Sequence, residues 1–277
     1  MCGIAGIYHL ETAKPVDPAR LRAMLQPMQH RGPDGSGEWT AAGVGLGHLR
    51  LSIIDIDGSP QPMASDDEAV TLTYNGEIYN FRELRSELED RGHRFRTSGD
   101  TEVIIAAWRQ WGPDCLSRLN GMFAFAIHDH QRGCLFLARD RLGVKPLHYA
   151  RLSDGSVAFA SELKGLLRNP LLRQEANLTA IEDFLAFGYV PDDNCIVAGV
   201  EKLPAGHFLL LERGKPVPAP TRWWAPDFSK RIRASEGEAA EHLVHLMRAA
   251  VTDRMVADVP LGAFLSGGVD SSAVVAL

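Results

Sequence analysis

An α+β fold is predicted, a layered sandwich in which sheets and helices occupy separate layers. Three observations predict it. Short apolar runs of strand length recur through the first 160 residues, with helical segments set between groups of them. Turn residues separate these runs at short intervals. The 277 residues, 45% hydrophobic and 23% charged, supply ample core for one large domain or two ordinary ones.

Taken in order, Gly3 to His9 is apolar and reads as the first strand. Pro18 to Gln29 places Leu21, Met24, Leu25 and Met28 at helical spacing, and Asp17-Pro18 is a good helix start. Gly43 to Ile54 and Ala69 to Tyr74 read as strands. Phe81 to Arg91 carries Leu84 and Leu88 four apart and stops at Gly92. Thr101 to Trp111 is a helix capped from Ser98 or Asp100. Met122 to His128, Cys134 to Ala138, Leu147 to Arg151 and Val157 to Ala160 are further strands. A helix starts at Thr179, and His207 to Glu212 is a strand. Residues 214–235 hold Pro216, Pro218, Pro220 and Pro226 and read as a linker. Glu236 to Met255 is a long amphipathic helix. Leu261 to Leu265 reads as a short strand leading into a Gly/Ser loop and a helix that is still running at Leu277, as expected of a fragment cut early in a second domain.

The net charge of −6 gives no reason to expect nucleic-acid binding. No apolar run reaches the ~20 residues that span a bilayer, and no signal peptide is visible, so neither a membrane nor an exported location is expected. Cys2, Cys115, Cys134 and Cys195 show no CxxC pair or zinc spacing and fit a reducing, cytoplasmic setting.

Cys2 directly follows Met1. If Met1 is removed, one residue carries a thiol and a free α-amine, whose pKa of ~7.7–8.0 suits a base near neutrality. The plainer reading is a small apolar residue opening a buried strand. Arg50 sits in an otherwise apolar strand; it either pairs a carboxylate, for which its planar fork is suited, or points from a sheet edge into solvent. Asn75-Gly76 following a strand is either a hairpin turn or, given the helix after it, a pair of donors for an oxyanion. Asp100 is either a helix cap or, with Glu77, a site for a substrate ammonium group. Ser266 to Ser272 is either a generic loop or a backbone cradle for an anion; it lacks the Gly-Lys-Ser/Thr of a Walker loop.

Met1 to Gly6, His30-Arg31-Gly32-Pro33-Asp34-Gly35, Arg50 to Ile53, Tyr74 to Asn80 and Ser98 to Glu102 together resemble the class II glutamine amidotransferase domain of the N-terminal-nucleophile hydrolases. Ala138 to Leu147 and Ser161 to Lys164 are similar to the glutamine-hydrolysing asparagine synthetase group, and Ser266 to Ser272 resembles that group's ATP-pyrophosphatase loop. The resemblance implies an αββα sandwich over residues 2–213, the linker at 214–235, and the truncated start of an α/β ATP-pyrophosphatase domain over 236–277.

It also implies roles. Cys2 would attack the glutamine side-chain amide, and Asn75 and Gly76 would hold the oxyanion. Arg50 would bind the α-carboxylate and Glu77 and Asp100 the α-amine, with Leu51 and Ile53 lining the pocket. Leu265, Ser266, Gly267, Gly268, Asp270 and Ser271 would meet ATP, and Asp270 would approach Mg²⁺ only in the complete protein. The implied partners are glutamine and an acceptor carboxylate, aspartate or another, and a homodimer is compatible with it. Phe187 to Pro191, Lys202 to His207 and the spaced prolines are similar to an exosortase-associated branch that amidates an exopolysaccharide or secondary-metabolite acceptor. A reading of another class is a non-catalytic glutamine-sensing module.

Overall fold

The computed structural model describes residues 1–277. In chain order the elements are β1 (Gly3–Tyr8), α1 (Pro18–Leu25), β2 (Gly35–Ala41), β3 (Val44–Arg50), β4 (Met63–Ala64), β5 (Val70–Ile78), α2 (Phe81–Asp90), α3 (Thr101–Trp111), α4 (Cys115–Arg118), β6 (Gly121–Asp129), β7 (Cys134–Arg139), β8 (His148–Arg151), β9 (Val157–Ala160), α5 (Leu163–Leu166), α6 (Leu178–Phe187), β10 (Val200–Lys202), β11 (His207–Glu212), β12 (Thr221–Arg222), α7 (Glu236–Asp253) and α8 (Val269–Ala276). The strands form two six-stranded sheets, ordered β10-β8-β9-β1-β3-β2 and β12-β11-β7-β6-β5-β4.

Period-two alternation sorts side chains between layers. Ile4 and Tyr8 of β1, Ala124 and Ala126 of β6, and Leu135 and Leu137 of β7 meet in the core between the sheets. Their alternates go outward: Phe123, Phe125 and Ile127 pack with α2 and α3, while Ala5 and Ile7 pack with α1 and α5. The result is helix, sheet, sheet, helix, the αββα sandwich expected. Gly6 makes room for the ring of Phe159 on the neighbouring strand β9, since a Cβ there would lie 2.3 Å from it. On α2, Phe81, Leu84 and Leu88 form the buried stripe, each contributing about 1.5–3 kcal/mol of apolar burial.

Several elements differ from expectation. The first helix stops at Leu25 and tightens into a 3₁₀ turn over Gln26–Arg31, because Pro27 has no N–H to continue the α ladder. Strand β2 is additional; its small and polar residues carry no apolar signal, and it is held as the edge strand by its register with β3. Thr221–Arg222, inside the expected linker, forms an edge strand on β11, and Trp223 beside it stacks on Phe123. Leu261 to Leu265 is not a strand: no neighbouring strand accepts its backbone, and Phe264 is fully exposed.

Asn75-Gly76 is not a turn after a strand. Strand β5 runs on to Ile78, with Asn75 opposite Ala124 and Gly76 opposite Phe123. Neither Ser98 nor Asp100 caps α3; both side chains are engaged elsewhere. No helix is long and apolar enough to cross a membrane.

Candidate active site

Cys2 lies at the entrance to β1, where Gly3 pairs with Leu49 of β3. Its Sγ accepts from the Leu51 N–H at 3.4 Å and faces the Leu51 carbonyl at 3.6 Å. Arg31 donates from Nε to the Cys2 carbonyl at 2.9 Å and from Nη1 to Glu162 at 2.8 Å. Although desolvation opposes it, Glu162 is held down at about 2 by hydrogen bonds from Arg31, Lys164 and His30. Burial raises the Cys2 thiol above its ordinary value, while the Leu51 amide, the chain's amine, Arg50 and Lys145 pull it back. The amine itself, on Met1, is lowered by burial first and then by Arg31 and Lys145.

Cys2 opens onto a cleft at the surface of the sandwich. Asn75, Gly76, Glu77, Asp100, Arg50, Leu51 and Ile53 line the same cleft, so every residue expected at the glutamine site is brought together. Four separate segments of the chain deliver them.

The outer edge of β5 explains why Asn75 and Gly76 face this space. In an antiparallel ladder, alternate residues turn both backbone groups to the same side. Phe123, opposite Gly76, spends its N–H and carbonyl on Asp140 rather than on β5. Tyr74, Gly76 and Ile78 therefore aim their N–H groups away from β6. The Tyr74 N–H goes to Gln61 Oε1 at 2.7 Å and the Ile78 N–H to Asp100 Oδ2 at 2.9 Å. The Gly76 N–H lies between them on an edge that β4, paired only at Thr71 and Leu72, leaves open. A Cβ at Gly76 would sit 2.3 Å from the Met122 carbonyl, so only glycine holds this position without displacing β6. Asn75 is buried, yet neither Nδ2 nor Oδ1 has a hydrogen-bond partner. A buried amide left unpaired costs about 1–3 kcal/mol, and here it faces the cleft.

Arg50 has no carboxylate partner. Its Nη1 donates to the Ile56 carbonyl at 2.8 Å, and its Nη2 to the Asp55 carbonyl at 2.6 Å and the Ile54 carbonyl at 3.4 Å. The loop that supplies these carbonyls is tied down by Asp55. Its carboxylate accepts from Ser59, from Ser98 N–H and Oγ, and from the Gly99 N–H. From the far end of the chain, Asp258 accepts the Asp55 N–H at 2.6 Å and donates its own N–H to the Ile53 carbonyl at 2.8 Å.

Asp100 is completely buried, which pushes its carboxyl up to about 6 even though the Ile78 N–H and the Tyr74 hydroxyl donate to it. Burial likewise raises Glu77, with Lys145 acting the other way. Two acidic groups of raised pKa in one cleft mark a place where a cation would be held.

The remaining candidates are elsewhere. Leu265 to Ser271 is an exposed segment that lines no part of this cleft. Its side chains bond within the loop, Ser266 Oγ to Ser271 Oγ at 2.9 Å and Ser271 Oγ to the Gly268 carbonyl at 3.1 Å. The start of α8 lacks a side-chain cap, and a Cβ at Gly267 would meet nothing within 4 Å. No group of three His, Cys, Asp or Glu is placed to hold a metal ion; Asp270 alone does not make a Mg²⁺ site.

Gln61, Tyr74 and Lys145 also line the cleft without having been assigned a role from sequence. Tyr74 and Lys145 fall within the family-like segments, but nothing in those segments shows which side chain turns inward.

Comparison with known proteins shows the family. Residues 1–224 match the glutamine amidotransferase domain, and residues 242–277 match asparagine synthase. Asparagine synthetase [glutamine-hydrolyzing] 3 of Bacillus subtilis is 37% identical over 282 residues, covering 100% of this chain and 45% of the relative. Asparagine synthetase B [glutamine-hydrolyzing] of Escherichia coli is 33% identical, covering 100% and 44%. The chain thus spans about half the length of these curated relatives. Among solved structures, the glutamine phosphoribosylpyrophosphate amidotransferase of B. subtilis, complexed with ADP and GMP, superposes with a TM-score of 0.56 at 22% identity, covering 81% of this chain and 50% of that one. That likeness supports the fold.

Proposed function

The chain belongs to the glutamine amidotransferase domain family, and on that premise we propose that it hydrolyses glutamine at Cys2, releasing ammonia for an ATP-dependent amidation of a carboxylate. The observation that carries the reading is the shared cleft: a thiol, an unpartnered buried amide, a free glycine N–H, two carboxylates and an arginine converge on one space.

The steps follow from the residues. Removal of Met1 leaves the α-amine on Cys2, where it takes the thiol proton. The thiolate attacks the side-chain amide carbon of glutamine. Asn75 Nδ2 and the Gly76 N–H receive the negative charge that develops on the carbonyl oxygen. The α-ammonium returns its proton to the leaving nitrogen, ammonia departs, and a γ-glutamyl thioester remains on Cys2. Water then attacks the thioester to give glutamate and the free thiol. Arg50 binds the substrate α-carboxylate, Glu77 and Asp100 its ammonium, and Leu51 and Ile53 flank its methylenes.

The second half of the reaction belongs to the segment from 236 onward. We assign 2–213 to the glutaminase and 214–235 to its connection, with Leu265 to Ser271 as the phosphate-facing part of an ATP site. ATP activates the acceptor carboxylate there. The acceptor is aspartate, giving asparagine, in keeping with the names of the relatives. The test is direct. Chain freed of Met1 and supplied with glutamine should release glutamate and ammonia in equal amounts; release of neither would remove the reading.

Two further results are expected. Arg50→Lys should raise KM for glutamine about 10- to 100-fold with kcat little changed, the loss of one charge-assisted hydrogen bond at about 1.5–3 kcal/mol. The ammonium also cannot be held flat by the carbonyls of Ile54, Asp55 and Ile56. Unchanged KM would make Arg50 a purely structural strut for that loop.

The second concerns pH. Asp100 is raised to about 6 from an ordinary 3.8, so it is neutral below that value and anionic above it. An ammonium ligand must be anionic, so KM for glutamine should rise as pH falls through about 6. Asp100→Asn should have a high KM at every pH. A KM that is flat in the wild type from pH 5 to 7.5 would exclude this role.

A further inference from the structure

We propose that Asp258 is a positioning residue for glutamine binding: from the segment that matches asparagine synthase, it fixes the loop whose carbonyls aim the Arg50 guanidinium. This rests on the glutaminase reading above.

Arg50 stands at the end of β3 on a long side chain that, left free, would sample many rotamers. Every hydrogen bond its guanidinium makes goes to the carbonyls of Ile54, Asp55 and Ile56. A guanidinium carries its five donors in one plane. The direction of the fork therefore copies the direction of this loop, and the N–H groups not spent there remain for a carboxylate.

The loop has little to hold it in shape by itself. Residues 51–58 contain no helix or strand. Asp55 takes φ +53, the left-handed region that residues other than glycine seldom occupy. Its side chain is anchored within the sandwich, by Ser59, Ser98 and Gly99. Its backbone is not. Apart from Arg50 itself, only Asp258 makes hydrogen bonds to the backbone of residues 53–56. Oδ2 of Asp258 accepts the Asp55 N–H at 2.6 Å, and the Asp258 N–H donates to the Ile53 carbonyl at 2.8 Å. The two bonds bracket Ile54 and set the peptide planes that face Arg50.

Asp258 is delivered by a docked strap. Asn120 Nδ2 donates to Asp253 at 3.3 Å, at the end of α7. The Arg254 guanidinium lies 4.8 Å from the centre of the Tyr79 ring. Val256 packs on the core beneath α2 and α3. Val259 lines a second cavity beside Arg50, Ile56 and Gln61. Asp258 itself lines no part of the Cys2 cleft, so its influence on glutamine passes through the loop and Arg50.

The test is glutamine kinetics on the chain freed of Met1. Asp258→Ala should raise KM about 10-fold, in line with loosening one charge-assisted contact, with kcat within about 2-fold. Asp258→Asn keeps an oxygen acceptor and should restore KM to near the wild-type value. In an Arg50→Lys background, Asp258→Ala should add little to KM, because both substitutions disable the same fork. A wild-type KM in Asp258→Ala, or effects that multiply in the double variant, would overturn the proposal. Should Asp258→Ala fail to fold, amide exchange decides, measured on Cys2→Ala so that glutamine is bound but not consumed. The Asp55 N–H should exchange slowly, and more slowly still with saturating glutamine. Exchange at the rate of an open loop in both conditions would also overturn it. A wild type that hydrolyses no glutamine would fault the underlying glutaminase reading instead.

Discussion

Cys2→Ala should abolish glutamine hydrolysis, by on the order of 10⁴-fold or more in kcat, with the fold intact. The substitution removes one sulfur at the edge of β1. Cys2 Sγ makes only two weak, long contacts, both with the Leu51 backbone, so stability should change by about 1 kcal/mol or less. The strand register, set by Gly3 against Leu49 through Tyr8 against Val44, does not depend on it. The other three cysteines cannot substitute. All are buried, none lines the cleft, and burial pushes Cys115 and Cys134 up to about 12 and 11. Thermal unfolding with glutaminase assay separates the two effects. Turnover retained in a folded variant would reassign the nucleophile.

Asn75→Ala is expected to have the second largest effect, a drop in kcat of about 10²–10³ with little change in KM, the usual consequence of removing one oxyanion donor at about 3–4 kcal/mol. The reason lies in what Asn75 does not do. Its amide is buried and unpartnered in the free protein, so no existing hydrogen bond is lost on truncation and the fold should be as stable or slightly more so. Loss of activity together with unchanged or raised stability is the signature expected. Equal loss of stability and activity would mean that the amide instead holds β5 in place.

Much of the site was legible because its chemistry is unusual for its setting. An arginine in an apolar strand conflicts with the local rule, and residues that do so are often functional; a cysteine at position 2 and an acidic residue before a helix conform to ordinary local readings and gained meaning only from the motifs around them. The alternatives to those readings were separable only in three dimensions. Asn75-Gly76 has the dipeptide signature of a turn, but nine residues of β5 pair across β6 and override it. Asp100 stands where a cap should be, yet its carboxylate turns back to Tyr74 and Ile78, an attachment formed only once β5 lies alongside.

What could not be read depended on distant contacts. Strand β2 has no apolar alternation of its own and exists because β3 offers it an edge. Asp258 and Asp55 meet across 203 positions of sequence, which brings the beginning of the second segment onto the loop that orients Arg50. Lys145 stood inside a family-like segment, and only the folded turn between β7 and β8 places it on the cleft. The helical face of α7 was visible as Leu243, Leu246, Met247 and Val251, but none of its residues is buried.

The account turns on Cys2 as the atom that breaks the amide. Acid-quenching the chain during glutamine turnover and weighing its N-terminal peptide tests this most directly. The prediction is a γ-glutamyl thioester on a peptide that begins at Cys2, absent from Cys2→Ala. Glutamate released while that peptide stays unmodified, or while Met1 remains attached to it, would contradict the account.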